Sequence, residues 1–413
     1  MNKKIMYALS FMLIAVCCIF SVSAYDGDRP YDDTDKFPPE SYKIIDGVVY
    51  HKAYDSETEK HYYEITDYFA TEELAQKATE ITNLRSEIDG IPVTELRFYE
   101  NNNKKTYPNI KKVVLPDSLK VIGEEALWSF SGIKELKIPD SVEKIERAAF
   151  ARMSSLEKIA LPSKVTYISK NLFSGCEKLS KVVIKGDVYA IGESAFSGCT
   201  SLKKITLPDT VKSIGGGAFS KSGLTSITIP VTAYKGNYTL GDSNGVPVFK
   251  DCKSLTKVLF SDAEVKNFVI SRDDFRNCTS LKKVYLPKSA KNIYISEGAF
   301  RNCKKLTKIY NTENIKEIGA NAFRGCKALT TFTISSKVTE IGKTAFYGCT
   351  KLKKVTVNSS KKAPAIGKKA FGKTAEGIRF VAKNSTAAKS WKSAVKKSGL
   401  KNMKVCYVKY VNV

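Results

Sequence analysis

Seven of the ten cysteines occupy one repeated position, three residues after a phenylalanine that recurs along the chain. They are Cys176, Cys199, Cys252, Cys278, Cys303, Cys326 and Cys349. In other copies this position holds Phe130, Met153, Ser222 and Thr374. A position that accepts such different side chains is typical of packing, so we expect a column of buried free thiols. Disulfides between neighbours are the alternative if the chain is exported, although parallel side chains meet the required dihedral angle poorly.

The remaining candidates for chemistry are few. Cys406 lies outside the column and is a candidate for exposure. His51 and His61, the only histidines, could form a weak metal site across a hairpin, but a surface or packing role is favoured. The sequence contains no G-x-S-x-G, H-E-x-x-H, P-loop or calcium-loop motif. We therefore predict no catalysis, cofactor or metal, and an enzyme hidden in the N-terminal region is only a minor alternative.

The cysteine column belongs to a frame of about 23 residues that recurs eleven times. Its aromatic position falls, after an imperfect first copy at Leu127, at Phe150, Phe173, Phe196, Phe219, Phe249, Phe275, Phe300, Phe323, Phe346 and Phe371. Each copy has an L-x-x-I-x-L segment that alternates like a short strand, then V-x-x-I-G as a second extended piece. The A-F-x-G-C segment that follows predicts a tight turn with an inward phenylalanine. One copy has too little apolar surface to fold alone, so the array is expected to be stable only when stacked.

This frame resembles the bacterial leucine-rich repeat of BspA-like surface proteins. The likeness rests on segments such as Leu202–Pro208 (L-x-x-I-x-L-P), Ile214–Phe219 (I-G-x-x-A-F) and Gly198-Cys199, and it extends over about residues 80–380, with 79–97 as a divergent first copy. The resemblance implies an α/β repeat fold: a right-handed leucine-rich-repeat solenoid with a parallel sheet on its concave face. It also implies secretion or surface display, and a role in adhesion or protein binding.

The strand segments identify the positions that face solvent, because side chains alternate along a strand. The first outward column reads Lys112, Glu135, Lys158, Lys181, Lys204, Ser226, Lys257, Lys283, Lys308, Thr331 and Lys354. The second reads Val114, Lys137, Ala160, Val183, Thr206, Thr228, Leu259, Tyr285, Tyr310, Thr333 and Thr356. A partner-binding stripe is predicted at Lys257, Leu259, Lys283, Tyr285, Lys308 and Tyr310, all expected to be exposed. The simpler explanation is that these columns copy a repeat consensus without selection for binding.

A second candidate surface is the longer interval between Phe219 and Phe249, which spans 30 residues and includes Tyr234 and Tyr238. Insertions in a solenoid bulge from one face, often the binding face. They also arise neutrally, because lengthening a surface loop costs little.

The ends of the sequence predict the remaining organisation. Residues 1–24 read as a signal peptide, with an uncleaved anchor as the alternative, and no transmembrane segment is expected after cleavage. Residues 25–40 are expected to be a flexible linker, 41–98 an N-terminal cap region with a β-hairpin, 99–380 the solenoid, and 381–413 a C-terminal cap with a helix and a last strand. Trp391 is expected to plug the core of the last repeat.

Charge is unevenly distributed along the sequence. Residues 25–110 carry 10 Lys/Arg and 19 Asp/Glu, whereas residues 111–413 carry 55 and 23. A strongly basic body attracts acidic partners, although lysine also serves solubility alone. Export disfavours nucleic acid. The sequence therefore indicates a secreted, non-enzymatic protein, free or associated with the cell surface, that binds an extracellular protein or an acidic glycan. A structural protein held to anionic wall polymers is the alternative.

Overall fold

The computed structural model describes residues 41–69, 72–97, 107–234, 246–359 and 362–407. The predicted signal peptide and linker lie outside these residues, and the boundaries at 98 and 380 stay predictions. Within them the repeat solenoid is confirmed: each repeat forms one rung, and successive rungs stack so that equivalent strands pair in parallel.

The L-x-x-I-x-L segments form the first strand series. Its members are β7 (Lys112–Val113), β10 (Lys158–Leu161), β12 (Lys181–Ile184), β15 (Ser226–Ile229), β16 (Lys257–Phe260), β18 (Lys283–Tyr285), β20 (Lys308–Tyr310), β22 (Thr331–Ile334), β24 (Lys354–Val357), β26 (Ile378–Ala382) and β27 (Met403–Tyr407). Pairing is interrupted in places, and at Glu135 only an isolated bridge to Lys158 forms. The longest uninterrupted runs are β15-β16-β18-β20 and β22-β24-β26-β27.

The V-x-x-I-G segments form a second strand series, as expected. It consists of β8 (Val121–Ile122), β9 (Lys144–Ile145), β11 (Tyr167–Ile168), β13 (Ala190–Ile191), β14 (Ser213–Ile214), β17 (Asn267–Ile270), β19 (Asn292–Ile295), β21 (Ile315–Ile318), β23 (Glu340–Ile341) and β25 (Ala365–Ile366). Isoleucines of this series, such as Ile168 and Ile341, are fully buried. The core therefore lies between the two strand series.

An antiparallel unit precedes the rungs. Strands β1 (Tyr42–Ile45), β2 (Val48–Asp55) and β3 (Lys60–Asp67) form it, followed by helix α1 (Glu72–Lys77), β4 (Glu80–Ile81), β5 (Glu87–Ile88) and β6 (Ile91–Leu96). The predicted hairpin turns at Asp46 and Gly47, whose φ angles of 51° and 81° are those that an Asp-Gly turn permits. The divergent first copy joins both series, because β4 pairs with β7 and β6 pairs with β8.

The repeated phenylalanines form one continuous buried stack. From Phe150 to Phe371, adjacent ring centroids are 5.0 to 5.6 Å apart, and every one of these rings is fully buried. The turn that carries each ring needs a left-handed backbone two residues later, where Gly198 has φ 75° and Asn302 has φ 61°. Glycine and asparagine tolerate this region best. The predicted turn with an inward phenylalanine is thus confirmed.

The extra residues between Phe219 and Phe249 do not disturb this stack. These two rings are 5.4 Å apart and inclined by only 2°. A short 3₁₀ helix (Val231–Tyr234) leads out of the rung, and the chain is described again from Val246. Where it returns, the buried carboxylate of Asp274 accepts hydrogen bonds from the N–H groups of Val248 and Ser271, at 3.4 and 2.9 Å.

Asp274 occupies the position that holds Ala299 and Ala322 in later rungs. Its side chain is completely enclosed, and desolvation raises the pKa of its carboxyl group to about 7 in spite of the two N–H donors. Asp273, the adjacent carboxylate, raises this pKa further. Beside the thiol of Cys278, the rung therefore encloses a carboxyl group that titrates near neutral pH.

The far end is covered by helix α2 (Ser385–Lys397) and β27. Asn384 caps the helix by accepting from the N–H of Ala387 at 2.8 Å. Trp391 is fully buried, with its ring centroid 6.0 Å from that of Phe380. The expectation that Trp391 plugs the last repeat is therefore confirmed.

Ending the chain at Asn384 should expose β26 and the apolar end of the stack, and the product should aggregate. Trp391→Ala, which removes only the plug, should remain soluble and lose about 3–5 kcal/mol of unfolding free energy. Trp391→Phe, which keeps most of the buried ring, is the matched control and should lose far less. Light scattering and urea unfolding measure these outcomes, and a soluble, cooperatively melting truncation would contradict the capping role.

Asp274 should make stability depend on pH. Between its ordinary pKa of 3.8 and about 7, the native protein keeps a proton that the unfolded chain has released, so raising the pH favours unfolding. Above the native pKa the two states no longer differ. From about pH 5.5 to about pH 8.5 the unfolding free energy of the wild type should fall by about 2 kcal/mol more than that of Asp274→Asn. Parallel pH profiles from urea unfolding would show that Asp274 titrates normally.

Candidate functional site

Most residues of the two outward columns lie on the first strand series, where the sequence predicts them. The rungs of Glu135 and Lys204 form no strand of this series. The pairing register places Lys257, Lys283 and Lys308 side by side on β16, β18 and β20. It also aligns Leu259, Tyr285 and Tyr310 on the same three strands. The alternate residues Val258, Val284 and Ile309 point into the core. A surface of six side chains, which we call the lysine–tyrosine stripe, is thus defined by Lys257, Leu259, Lys283, Tyr285, Lys308 and Tyr310.

Tyr285 and Tyr310 are stacked face to face within this stripe. Their ring centroids are 4.3 Å apart and their planes are parallel. The Lys257 ammonium lies 5.2 Å from the Tyr285 centroid, and that of Lys308 lies 4.6 Å from the Tyr310 centroid. Each ammonium is thus held over a ring by a cation–π contact. The stripe is consequently ordered before any partner arrives.

The expectation that all six stripe residues are exposed is wrong for four of them. Lys283 and Lys308 are exposed, whereas Lys257, Leu259, Tyr285 and Tyr310 are half-buried. The reason is the spacing between paired strands, about 4.8 Å, which lets long side chains of adjoining rungs cover one another. Single-strand alternation gives the direction of a side chain but not this lateral contact.

The charge of the stripe is not neutralised within the protein. Among the residues that the structure describes, Lys257, Lys283 and Lys308 form no ion pair within 4 Å. By contrast, near the start of the same face, Lys158 lies 3.4 Å from Glu135 and Lys112 lies 3.7 Å from Glu80. The stripe therefore offers three positive charges to a partner.

The structure extends the first column beyond the residues that the sequence frame identified. Lys354 pairs with Arg379 on β26, which pairs with Lys404 on β27, and all three are exposed. The repeat frame does not identify Arg379 and Lys404, because the end copies depart from the repeat pattern. The alternation around Phe380, which is buried between the exposed Arg379 and the half-buried Val381, is the signal that could have found Arg379.

At the other end of the same face lies a shallow depression of about 700 Å³. Residues of both outward columns line it, including Lys112, Val114, Lys137, Lys158, Ala160, Lys181 and Val183. Val114 and Val183 are 45% and 39% exposed, which is unusual for valine in a strand. The strand frame predicts that these residues face outward. It does not predict the depression, because its shape depends on how several rungs come together.

The insertion surface is only partly described. Tyr234 ends the 3₁₀ helix, and Tyr238 lies outside the described residues. Nothing in the structure therefore bears on the prediction that this segment contacts a partner.

The seven repeat cysteines are free and fully buried, as expected. Each thiol also donates a hydrogen bond to the carbonyl oxygen of the phenylalanine in the preceding rung, for example Cys176 to Phe150 at 3.1 Å and Cys349 to Phe323 at 3.1 Å. Burial raises the pKa of Cys176 and of Cys349 to about 12. In these seven copies a small side chain thus combines packing with a hydrogen bond, which packing alone does not predict. In the first two copies Phe130 and Met153 fill the same position without a donor. Cys406 is exposed.

The two histidines are not opposite each other. On the paired strands β2 and β3, His51 faces Glu64 and His61 faces Tyr54. His51 is buried with its Nδ1 atom 3.3 Å from a Glu64 carboxylate oxygen, which fits the packing role. Within the described ranges, no group of three or more His, Cys, Asp or Glu side chains could hold a metal ion. None of the helices in these ranges combines the length and the apolar character that a membrane span requires.

Comparison with known proteins agrees with this architecture. The family model described as "BspA type Leucine rich repeat region" matches six copies, in residues 100–222, 171–268 and 242–378. None of the curated protein sequences gives a significant match.

Several solved structures match most of this chain. A leucine-rich repeat protein from Bacteroides ovatus is 24% identical, with a TM-score of 0.62, over 89% of this chain and 100% of that one. A leucine rich cell surface protein from Faecalibacterium prausnitzii is 20% identical, with a TM-score of 0.41, over 88% and 100%. The pneumococcal vaccine antigen PcpA is 19% identical, with a TM-score of 0.49, over 89% and 99%. At these identities the B. ovatus protein shows a shared fold and nothing more.

The seven buried thiols should resist a maleimide reagent in the native state, because burial excludes the reagent from all of them. In six of them a pKa raised by burial also suppresses the reactive thiolate. The pKa of Cys252 is lowered, so burial alone protects this thiol. Only Cys406 should be labelled quickly in the chain without its first 24 residues. Complete unfolding in urea should release the other seven. Mass spectrometry after labelling counts the modified sites, and rapid labelling of any repeat cysteine without denaturant would contradict the buried column.

Proposed function

Because this chain belongs to the BspA-type leucine-rich-repeat family, we propose that it is a secreted, non-catalytic binding protein. Its lysine–tyrosine stripe binds an acidic segment of another extracellular protein. The observation that carries this proposal is the ordered Lys257–Tyr285–Tyr310–Lys308 stack, with cations at both ends and unpaired charge along its side. Protein binding is also the general role of leucine-rich repeats.

The geometry of the stack favours a polypeptide over a sugar. Carbohydrate rings bind tyrosine mainly through the flat face of the aromatic ring. Here the inner faces of Tyr285 and Tyr310 cover each other, and the outer faces carry the ammonium groups of Lys257 and Lys308. What remains for a partner is the edge of each ring and three ammonium groups. These suit carboxylates and apolar side chains.

Order within the stripe contributes to binding. A free lysine loses side-chain entropy when a partner immobilises it, at a cost of about 0.5–1.5 kcal/mol. Lys257 and Lys308 are already held over aromatic rings in the folded protein, so part of their side-chain entropy is lost on folding and not on binding. Lys283, which is exposed between them, supplies the third charge.

A second candidate function is attachment to anionic wall polymers through the lysine-rich surface. The excess of 55 Lys/Arg over 23 Asp/Glu after residue 110 favours it. Such attachment is dominated by charge and should disappear at moderate salt. Binding that uses the tyrosine edges should persist in part, so salt separates the two candidates.

The test uses a fluorescent peptide rich in Asp, Glu and Leu and measures its affinity at two salt concentrations. Replacing Lys257, Lys283 and Lys308 by Glu should weaken binding by tenfold or more at low salt and flatten its salt dependence. Replacing Tyr285 and Tyr310 by Ala should weaken binding at both salt concentrations, because ring area is lost. Because both tyrosines are half-buried, each of the two substitutions should also lower the unfolding free energy by about 1 kcal/mol.

The control changes Lys389, Lys392 and Lys401, which are exposed in the C-terminal cap, to Glu and so alters the net charge by the same amount. Its affinity should stay near that of the wild type. Equal weakening by both triple variants would show attraction by net charge alone and support the wall-polymer function. Unchanged affinity in the stripe variants would place the peptide site elsewhere.

A further inference from the structure

A column of basic side chains runs along the turns, at the position directly after the buried phenylalanine. On four consecutive rungs this position holds Lys250, Arg276, Arg301 and Arg324. On the four preceding rungs it holds Ala151, Ser174, Ser197 and Ser220. Since four other consecutive rungs use small neutral residues here, the basic run does not follow from the repeat consensus.

The arginines are placed at regular intervals by the core beneath them. Each follows its phenylalanine directly, and the ring centroids of Phe275, Phe300 and Phe323 are successively 5.4 Å apart. The three guanidinium groups therefore repeat at about the rung spacing. We call Arg276, Arg301 and Arg324 the arginine column.

Local contacts hold two members of the arginine column, Arg276 and Arg324, in place. Arg276 lies 3.4 Å from the Asp273 carboxylate, and Arg324 donates to the Asn321 side-chain oxygen at 3.3 Å. The Arg324 guanidinium also lies 5.2 Å from the centre of the Tyr347 ring. All three arginines are half-buried. Guanidinium groups fixed in this way lose little entropy when they bind an anion.

The column nevertheless keeps hydrogen-bond donors for a ligand. The rung of Arg301 has Gly298 where the preceding rung has Asp273, and within the described ranges Arg301 forms no ion pair. The Nε atoms of Arg276 and Arg301 lack a hydrogen-bond acceptor but are enclosed, so a ligand can reach only the terminal nitrogens of these side chains. The exposed residues Lys304 and Lys327 follow the cysteine on the turns of Arg301 and Arg324, and Lys253 does so on the turn of Lys250. They widen the basic surface.

We propose that the arginine column binds a linear phosphodiester polymer of the cell envelope. A straight row of cations at even spacing fits a chain that carries an anion in every unit. The fork of donors on arginine matches the paired oxygens of a phosphate better than the point charge of lysine does. This surface lies on the turns and not on the strand face, so the inference does not rest on the function proposed for the stripe.

The experiment measures binding of poly(glycerol phosphate) to the chain without its first 24 residues, over a range of salt concentrations. Changing Arg276, Arg301 and Arg324 together to Ser introduces the residue that Ser174, Ser197 and Ser220 already place at this position, so the fold should be retained. Affinity should fall tenfold or more, and the slope of log affinity against log salt should decrease by about 2. Changing the three to Lys should give a smaller loss.

The matched control changes Lys257, Lys283 and Lys308 to Ser, which removes the same charge from the strand face. This variant should bind poly(glycerol phosphate) like the wild type. Equal losses in both Ser variants, or no loss in either, would overturn the proposal. So would equal or tighter binding of polyglutamate, heparin or single-stranded DNA that depends on the same three arginines. Thermal melting of every variant confirms that the fold is intact.

Discussion

The structure depends on one packing constraint, which is that each buried phenylalanine must lie directly over that of the rung before it. No rung has enough apolar surface to fold alone, so each ring gains its enclosure from its neighbours. The constraint fixes the rung spacing near 5 Å along the stack from Phe150 to Phe371. Everything on the surface inherits this spacing. Tyr285 stacks on Tyr310, and the arginines of the turns fall into a line, because the core sets the interval and the side chains merely follow it.

Two kinds of polar group inside the solenoid differ in their relation to the rungs: one repeats with them, and the other lies at a break in their period. The thiols are of the first kind, since each supplies a donor to a carbonyl of the preceding rung. Asp274 is of the second kind, since its carboxylate serves N–H groups at the point where the chain returns from the insertion. The two differ in their consequences. A neutral donor with a carbonyl partner can recur along the array without a charge being buried. A buried ionisable group without a countercharge makes the unfolding free energy depend on pH.

The sequence predicts the fold well because the fold is itself periodic. Spacing alone identified both strand series, the inward phenylalanines, the buried thiols and the role of Trp391. What it missed depends on contacts between rungs or on departures from the period. Half-burial of Tyr285 comes from a neighbouring strand, which no pattern within one strand reveals. Arg379 lies in an end copy that no longer matches the frame, and Asp274 looks like an ordinary surface residue until its position is aligned with Ala299.

The insertion before Phe249 leaves the ring stack unchanged, with Phe219 and Phe249 as close and as parallel as rings on rungs of regular length. The stacking of Phe219 on Phe249 is therefore independent of the number of residues between them in the sequence. New recognition loops can be acquired at this position, enlarged or exchanged without any compensating change inside. An array of this kind separates the evolution of what it contacts from the evolution of how it folds, so lineages can diversify by length as readily as by substitution.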